Sequence, residues 1–83
     1  MNVITPNSDG VNDVLYIRNL EYYPGNEVKF FNRAGLEVFS TRDYDNTWDT
    51  KINGLYLSQG DYICILKIEG YEQVYKQMVS IIK

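Results

Sequence analysis

The sequence predicts an all-β domain, a small antiparallel sandwich of six or seven strands, and three observations predict it. Turn-forming clusters of Gly, Pro, Asn, Asp and Ser recur about every ten residues along the 83-residue chain. The stretches between them are short and rich in β-branched and aromatic side chains. No segment of helical length carries an apolar stripe of helical period. Short strands joined by frequent turns favour two packed sheets, and the immunoglobulin-like topology is the commonest arrangement of that kind, with an open barrel as the other solution.

Taken in order, strands are expected at residues 3–5, 14–17, 27–32, 37–41, 56–57, 61–68 and 73–82. The run 61–68 places Tyr62, Cys64, Leu66 and Ile68 on one face and Ile63 and Ile65 on the other. Apolar side chains on both faces mark a central strand. Between the runs 27–32 and 37–41, Asn32-Arg33-Ala34-Gly35 reads as a hairpin, with Gly35 at a positive φ and Asn32 capping the turn. The last run alternates imperfectly, since Val74 and Met78 have one parity and Tyr75, Val79 and Ile81 the other. A bulge near Lys76-Gln77 is expected to reconcile them.

Composition mainly excludes chemistry. The chain has no histidine and one cysteine, so a histidine-centred triad, a zinc finger and an internal disulfide framework are all ruled out. A net charge of −3 without a basic run argues against nucleic acid and anionic lipid as partners. The longest apolar stretch, 62–66, is too short to insert in a bilayer, and the N-terminus has no signal core. No repeat or linker divides the chain, which reads as one unit over 1–83.

Three constellations invite a functional reading. In the loop 5–13, oxygen-bearing side chains surround Gly10, and Asn7, Asp9, the Val11 carbonyl and Asp13 have the spacing of a calcium wrap. Thr5 and Tyr16 stand where the first and last ligands of a full calcium-binding loop belong, so a metal-free loop of Asx-turns accounts for the residues as well. Around Trp48, the carboxylates Asp43, Asp45 and Asp49 suggest a sugar-cleaving pair, but a core Trp bordered by turn residues is the simpler account. The eight tyrosines either cluster into a contact surface for a protein or glycan or lie scattered among the strands. Cys64, in mid-strand among Ile and Leu, reads as an inert core thiol.

The ordered set is more specific than its parts. Asn2-Val3-Ile4-Thr5-Pro6-Asn7-Ser8-Asp9-Gly10-Val11-Asn12-Asp13 is followed by Phe31-Asn32-Arg33-Ala34-Gly35 and by Tyr44-Asp45-Asn46-Thr47-Trp48-Asp49. Then come Asn53-Gly54, Gly60-Asp61-Tyr62, Val74-Tyr75-Lys76 and a terminal Ile81-Ile82-Lys83. In this order and spacing the chain resembles the gliding-motility-associated C-terminal domain, the type B sorting domain of the Bacteroidetes type IX secretion system. It departs from that pattern at Ser8, at Ala34 and at Thr50, where glycine, a large hairpin residue and glycine are respectively usual.

The resemblance implies a non-enzymatic signal at the end of a larger exported protein, with the cargo covalently attached on its N-terminal side. Met1 then stands in place of upstream chain. The signal would be recognised in the periplasm as a folded domain and pass its cargo across the outer membrane to the cell surface or the medium. An outer-membrane PorP/SprF-like protein is the implied partner. The match places recognition or loop-shaping roles on Pro6, Asn7, Asp9, Gly10, Asn12, Asp13, Asn32, Arg33, Gly35, Trp48, Asp49, Gly60, Tyr62, Tyr75 and Lys76, and the terminal Lys83 joins them. Possible calcium aside, no cofactor is expected. The alternatives are a calcium-assisted adhesion or glycan-binding sandwich and a structural cap on a repeat protein.

Overall fold

A computed structural model describes residues 2–6, 10 and 13–82. It is all-β, with seven strands: β1 (Asn2–Ile4), β2 (Asn26–Phe31), β3 (Glu37–Arg42), β4 (Lys51–Ile52), β5 (Leu55–Tyr56), β6 (Gly60–Ile68) and β7 (Val74–Ile81). Five of them form one sheet in the order β1-β7-β6-β2-β3, and β4 and β5 form a separate hairpin. The expected central strand is borne out, since β6 lies in the middle of the five.

The inner face of the sheet is the core. Period-two alternation brings Val28 and Phe30 from β2, Tyr62 and Cys64 from β6, Val79 and Ile81 from β7 and Ile4 from β1 into one buried cluster. The second layer is built mainly of irregular chain, which contributes Leu15, Leu20 and Tyr44 to the cluster, with Ile17, Trp48 and Leu57 packed against it. Aromatic rings form the seam. Phe30 stacks on Tyr62 with centroids 5.1 Å apart and takes Trp48 edge-on at 5.1 Å, while Trp48 lies flat against Phe39 at 3.8 Å.

Four sequence expectations need correction. The sheet is mixed rather than wholly antiparallel, because β1 runs parallel to β7. No hairpin joins these two strands, so nothing local sets their relative direction. Residues 14–17 form no strand. Their backbone groups are taken by side chains and by another loop: Leu15 N–H donates to the Trp48 carbonyl at 3.0 Å, and Tyr44 Oη donates to the Leu15 carbonyl at 2.6 Å. Asn46 then acts as a one-residue strand, accepting from Ile17 N–H at 2.8 Å and donating to the Ile17 carbonyl at 3.1 Å. Third, β7 has no bulge near Lys76-Gln77, since its register with β6 is unbroken from Val74 to Ile81. Val74 and Met78 simply point to the exposed outer face. The irregularity of the sheet falls between Phe30 and Phe31, against β3. Fourth, a second hairpin replaces the single strand expected at 56–57. Asn53 and Gly54 take positive φ values of 53° and 83°, the type I′ geometry that a two-residue Asn-Gly link favours.

Candidate functional site

The first hairpin behaves as its residues dictate. Gly35 sits at φ 84°. The Asn32 side-chain oxygen accepts from Ala34 N–H at 3.0 Å and from Leu36 N–H at 3.1 Å, while Gly35 N–H donates to the Asn32 carbonyl. The tip is thus an Asx-closed turn, and Arg33 on it is exposed.

Register shows where this tip lies. Phe31 is opposite Ile63, so the hairpin runs on past β2 toward the start of β6 at Gly60. Gly60 in turn is opposite Ile81, and Ile81 is opposite Ile4. The chain leaves β1 at this same level through Thr5 and Pro6, and β7 ends there, with Ile82 N–H donating to the Ile4 carbonyl at 2.9 Å. One end of the sheet therefore gathers the start of the loop 6–13, the tip Asn32-Arg33-Ala34-Gly35, the turn before Gly60 and the close of β7. Three strand spacings separate the loop from the tip, about 15 Å. Arg33, Gly60, Asp61 and Tyr62 border a shallow depression of about 290 Å³ at this end, completed by Ser58 and Gln59. Asp61 is held there by an acceptor bond from Ser80 Oγ at 2.7 Å. Ser58 and Gln59 lie outside the sequence motifs, and Asp61 is in the motif Gly60-Asp61-Tyr62 but carries no role there. The sequence signal for Ser58 and Gln59 is the turn-forming run Ser58-Gln59-Gly60.

The other residues singled out from sequence have different surroundings. Tyr62 is buried, stacked on Phe30, and its hydroxyl donates to the Ser58 carbonyl at 2.7 Å. Burial also raises its pKa. It fixes the turn beneath the depression rather than presenting a ring to solvent. Trp48 belongs to the seam, with Nε1 donating to the Lys51 carbonyl at 3.0 Å, and Asp49 caps the same turn by accepting from Lys51 N–H at 3.2 Å. Tyr75 and Lys76 lie on the exposed first half of β7, away from the gathered end. The eight tyrosines divide. Tyr44 and Tyr62 are core, Tyr56 is half-buried, and Tyr16, Tyr22, Tyr23, Tyr71 and Tyr75 are exposed, with Tyr23 and Tyr71 in edge-to-face contact at 6.4 Å near the far end of β6.

Asn7, Asp9, Val11, Asn12 and Lys83 lie outside the described residues, and so does most of the proposed calcium set. Of that set, Asp13 is described, and its carboxylate accepts from Gly10 N–H at 2.6 Å. The accepting carboxylate lies three positions after the amide that donates to it. Cys64 is buried, and desolvation pushes its thiol up to about 11, which keeps it protonated and unreactive at neutral pH.

A family profile, the CHU_C type IX secretion signal domain, matches residues 1–81 of the chain. No curated protein and no solved structure matches it.

Proposed function

Because the chain belongs to the CHU_C type IX secretion signal domain family, we propose that it acts as a folded address label, read through the loop end of its five-stranded sheet. The machinery of type IX secretion is the reader, and a cargo joined at the N-terminus is what it moves across the outer membrane. A PorP/SprF-like outer-membrane protein is the partner we assign to the reading step. One observation carries this view: Pro6, Asn32, Arg33, Gly35 and Gly60, far apart in sequence, come to a single end of the sheet. A linear signal needs no such gathering. Rigid turns held on a β scaffold give a partner a fixed surface to recognise.

Arg33 is an exposed charged group at this end, presenting five donors from a turn closed by Asn32. Gly35 and Asn32 serve it by holding the turn. Tyr62 supports the floor from below, and Trp48 and Asp49 stabilise the second layer.

The test fuses residues 1–83 behind a Sec-exported reporter in a host with this secretion system. The wild-type fusion should reach the medium, Arg33→Ala should lower export severalfold while leaving the melting temperature unchanged, and Val79→Asp, which unfolds the core, should abolish it. Equal export with and without the domain would overturn the sorting role. Full export of the Val79→Asp fusion would instead show that a linear segment is read.

A further inference from the structure

The edge of the sheet beside β7 is only partly used. β7 has eight residues, Val74 to Ile81, and β1 pairs with the last three, at Val79, Ser80 and Ile81. Among the described residues, nothing pairs with the stretch 74–78 on that side. The bond from Ile82 N–H to the Ile4 carbonyl shows which backbone groups face β1. Amides point alternately to the two sides of a strand, so those of Met78, Lys76 and Val74 face the same way, toward the open edge. The five residues 74–78 are all exposed, Tyr75 and Met78 each by 48%.

The direction of β1 decides what fills this edge. A parallel strand whose Asn2 is opposite Val79 comes from the Val74 end. Chain that arrives at Asn2 in the extended conformation must first run beside Met78 and Lys76, in the place where strand partners are missing. We propose that the last few residues of the cargo chain before β1 form a parallel extension of that strand, pairing with 74–78 and completing the sheet. This rests on the reading that the cargo is joined at the N-terminus. Extension would convert β1 from a three-residue strand, too short to hold by itself, into one matching β7. It would also cover an edge that is otherwise a template for unwanted pairing, against which Lys76 is the only charged residue in the stretch.

The probe is amide hydrogen exchange at Val74, Lys76 and Met78, measured by NMR on two fusions of one small reporter to the N-terminus. One fusion is joined through a six-residue alternating Thr-Val linker and the other through six residues of Gly-Ser. In the Thr-Val fusion these amides should exchange about tenfold more slowly than in the Gly-Ser fusion, the effect of one added backbone hydrogen bond each. Amides of β6 should be unchanged. Equal exchange in the two fusions overturns the proposal. Protection that appears in both and grows with protein concentration also overturns it, because a second copy of the domain is then the occupant. Export plays no part in this readout. Slowed amides in a fusion that fails to be secreted would sink the sorting role and leave the strand extension standing, and the reverse result would do the opposite.

Discussion

At Thr50 the chain places a β-branched side chain at φ 70°, a conformation that glycine adopts freely and threonine does not. The residue is fully buried, and its hydroxyl has no hydrogen-bond partner. The resemblance to the sorting domains implies glycine there, and the backbone gives the reason. Relief of the strain is worth about 1–2 kcal/mol and removal of the orphan hydroxyl about 1–3 kcal/mol. Against this stand the two buried carbons, Cβ and the methyl, about 1.6 kcal/mol, and the added freedom of the unfolded glycine, about 0.4–1 kcal/mol. Thr50→Gly should therefore stabilise the domain, by about 1 kcal/mol at the middle of these ranges, read as a higher urea midpoint, and a lower midpoint would refute the account. Tyr44 and Cys64 set the alkaline limit of the fold. Burial pushes the Tyr44 hydroxyl from 10.0 up to about 12 and the Cys64 thiol from 9.0 up to about 11. Both groups lose their proton more readily once unfolded, so their contribution is complete below about pH 9 and is lost as pH rises toward 12. The expected result is a urea midpoint that is level from pH 7 to 9 and falls above it, with the fall reduced in Cys64→Ala.

Among the elements, the segment 14–17 depends on residues about thirty positions away. Asn46 alone supplies both of Ile17's backbone bonds, from a backbone at φ 63° that asparagine tolerates well. Asn46→Ala should cost about 2–3 kcal/mol, since two backbone groups lose their partners and alanine is strained at that φ. A loss under about 0.5 kcal/mol in urea unfolding would show that water replaces the side chain. The same segment shows where the sequence was readable. The turn Asn32 to Gly35, whose geometry is decided within four residues, was legible because the residue types impose the φ values. So was β6, whose two apolar faces require neighbours on both sides. Residues 14–17 have a strand's composition but no strand to pair with. Their partners are Tyr44, Asn46 and Trp48, and no local pattern announces a bond made across twenty-nine positions. β4 escaped notice for a related reason, being two residues long and preceded by the unusual backbone at Thr50. The gathered end was legible as separate motifs but not as a place, because register alone brings Arg33 beside Asp61 and Ile4 level with Gly60.

For the whole molecule, the parallel pairing of β1 with β7 has a mechanical meaning. Asn2 opens β1 and Ile82 follows the end of β7, so these two residues are the points through which the pair can be pulled. Because the strands run the same way, a pull on Asn2 and an opposing pull on Ile82 slide β1 along β7, and the hydrogen bonds between them share the load. A pull across the sheet, between Val3 on one edge and Thr41 on the other, would break such bonds one after another. Single-molecule stretching should therefore need a higher rupture force through Asn2 and Ile82 than through Val3 and Thr41, and equal forces would remove the argument. If the domain is drawn across the outer membrane by its sheet end with a cargo on the other side, as proposed above, it is strongest along the line of tension.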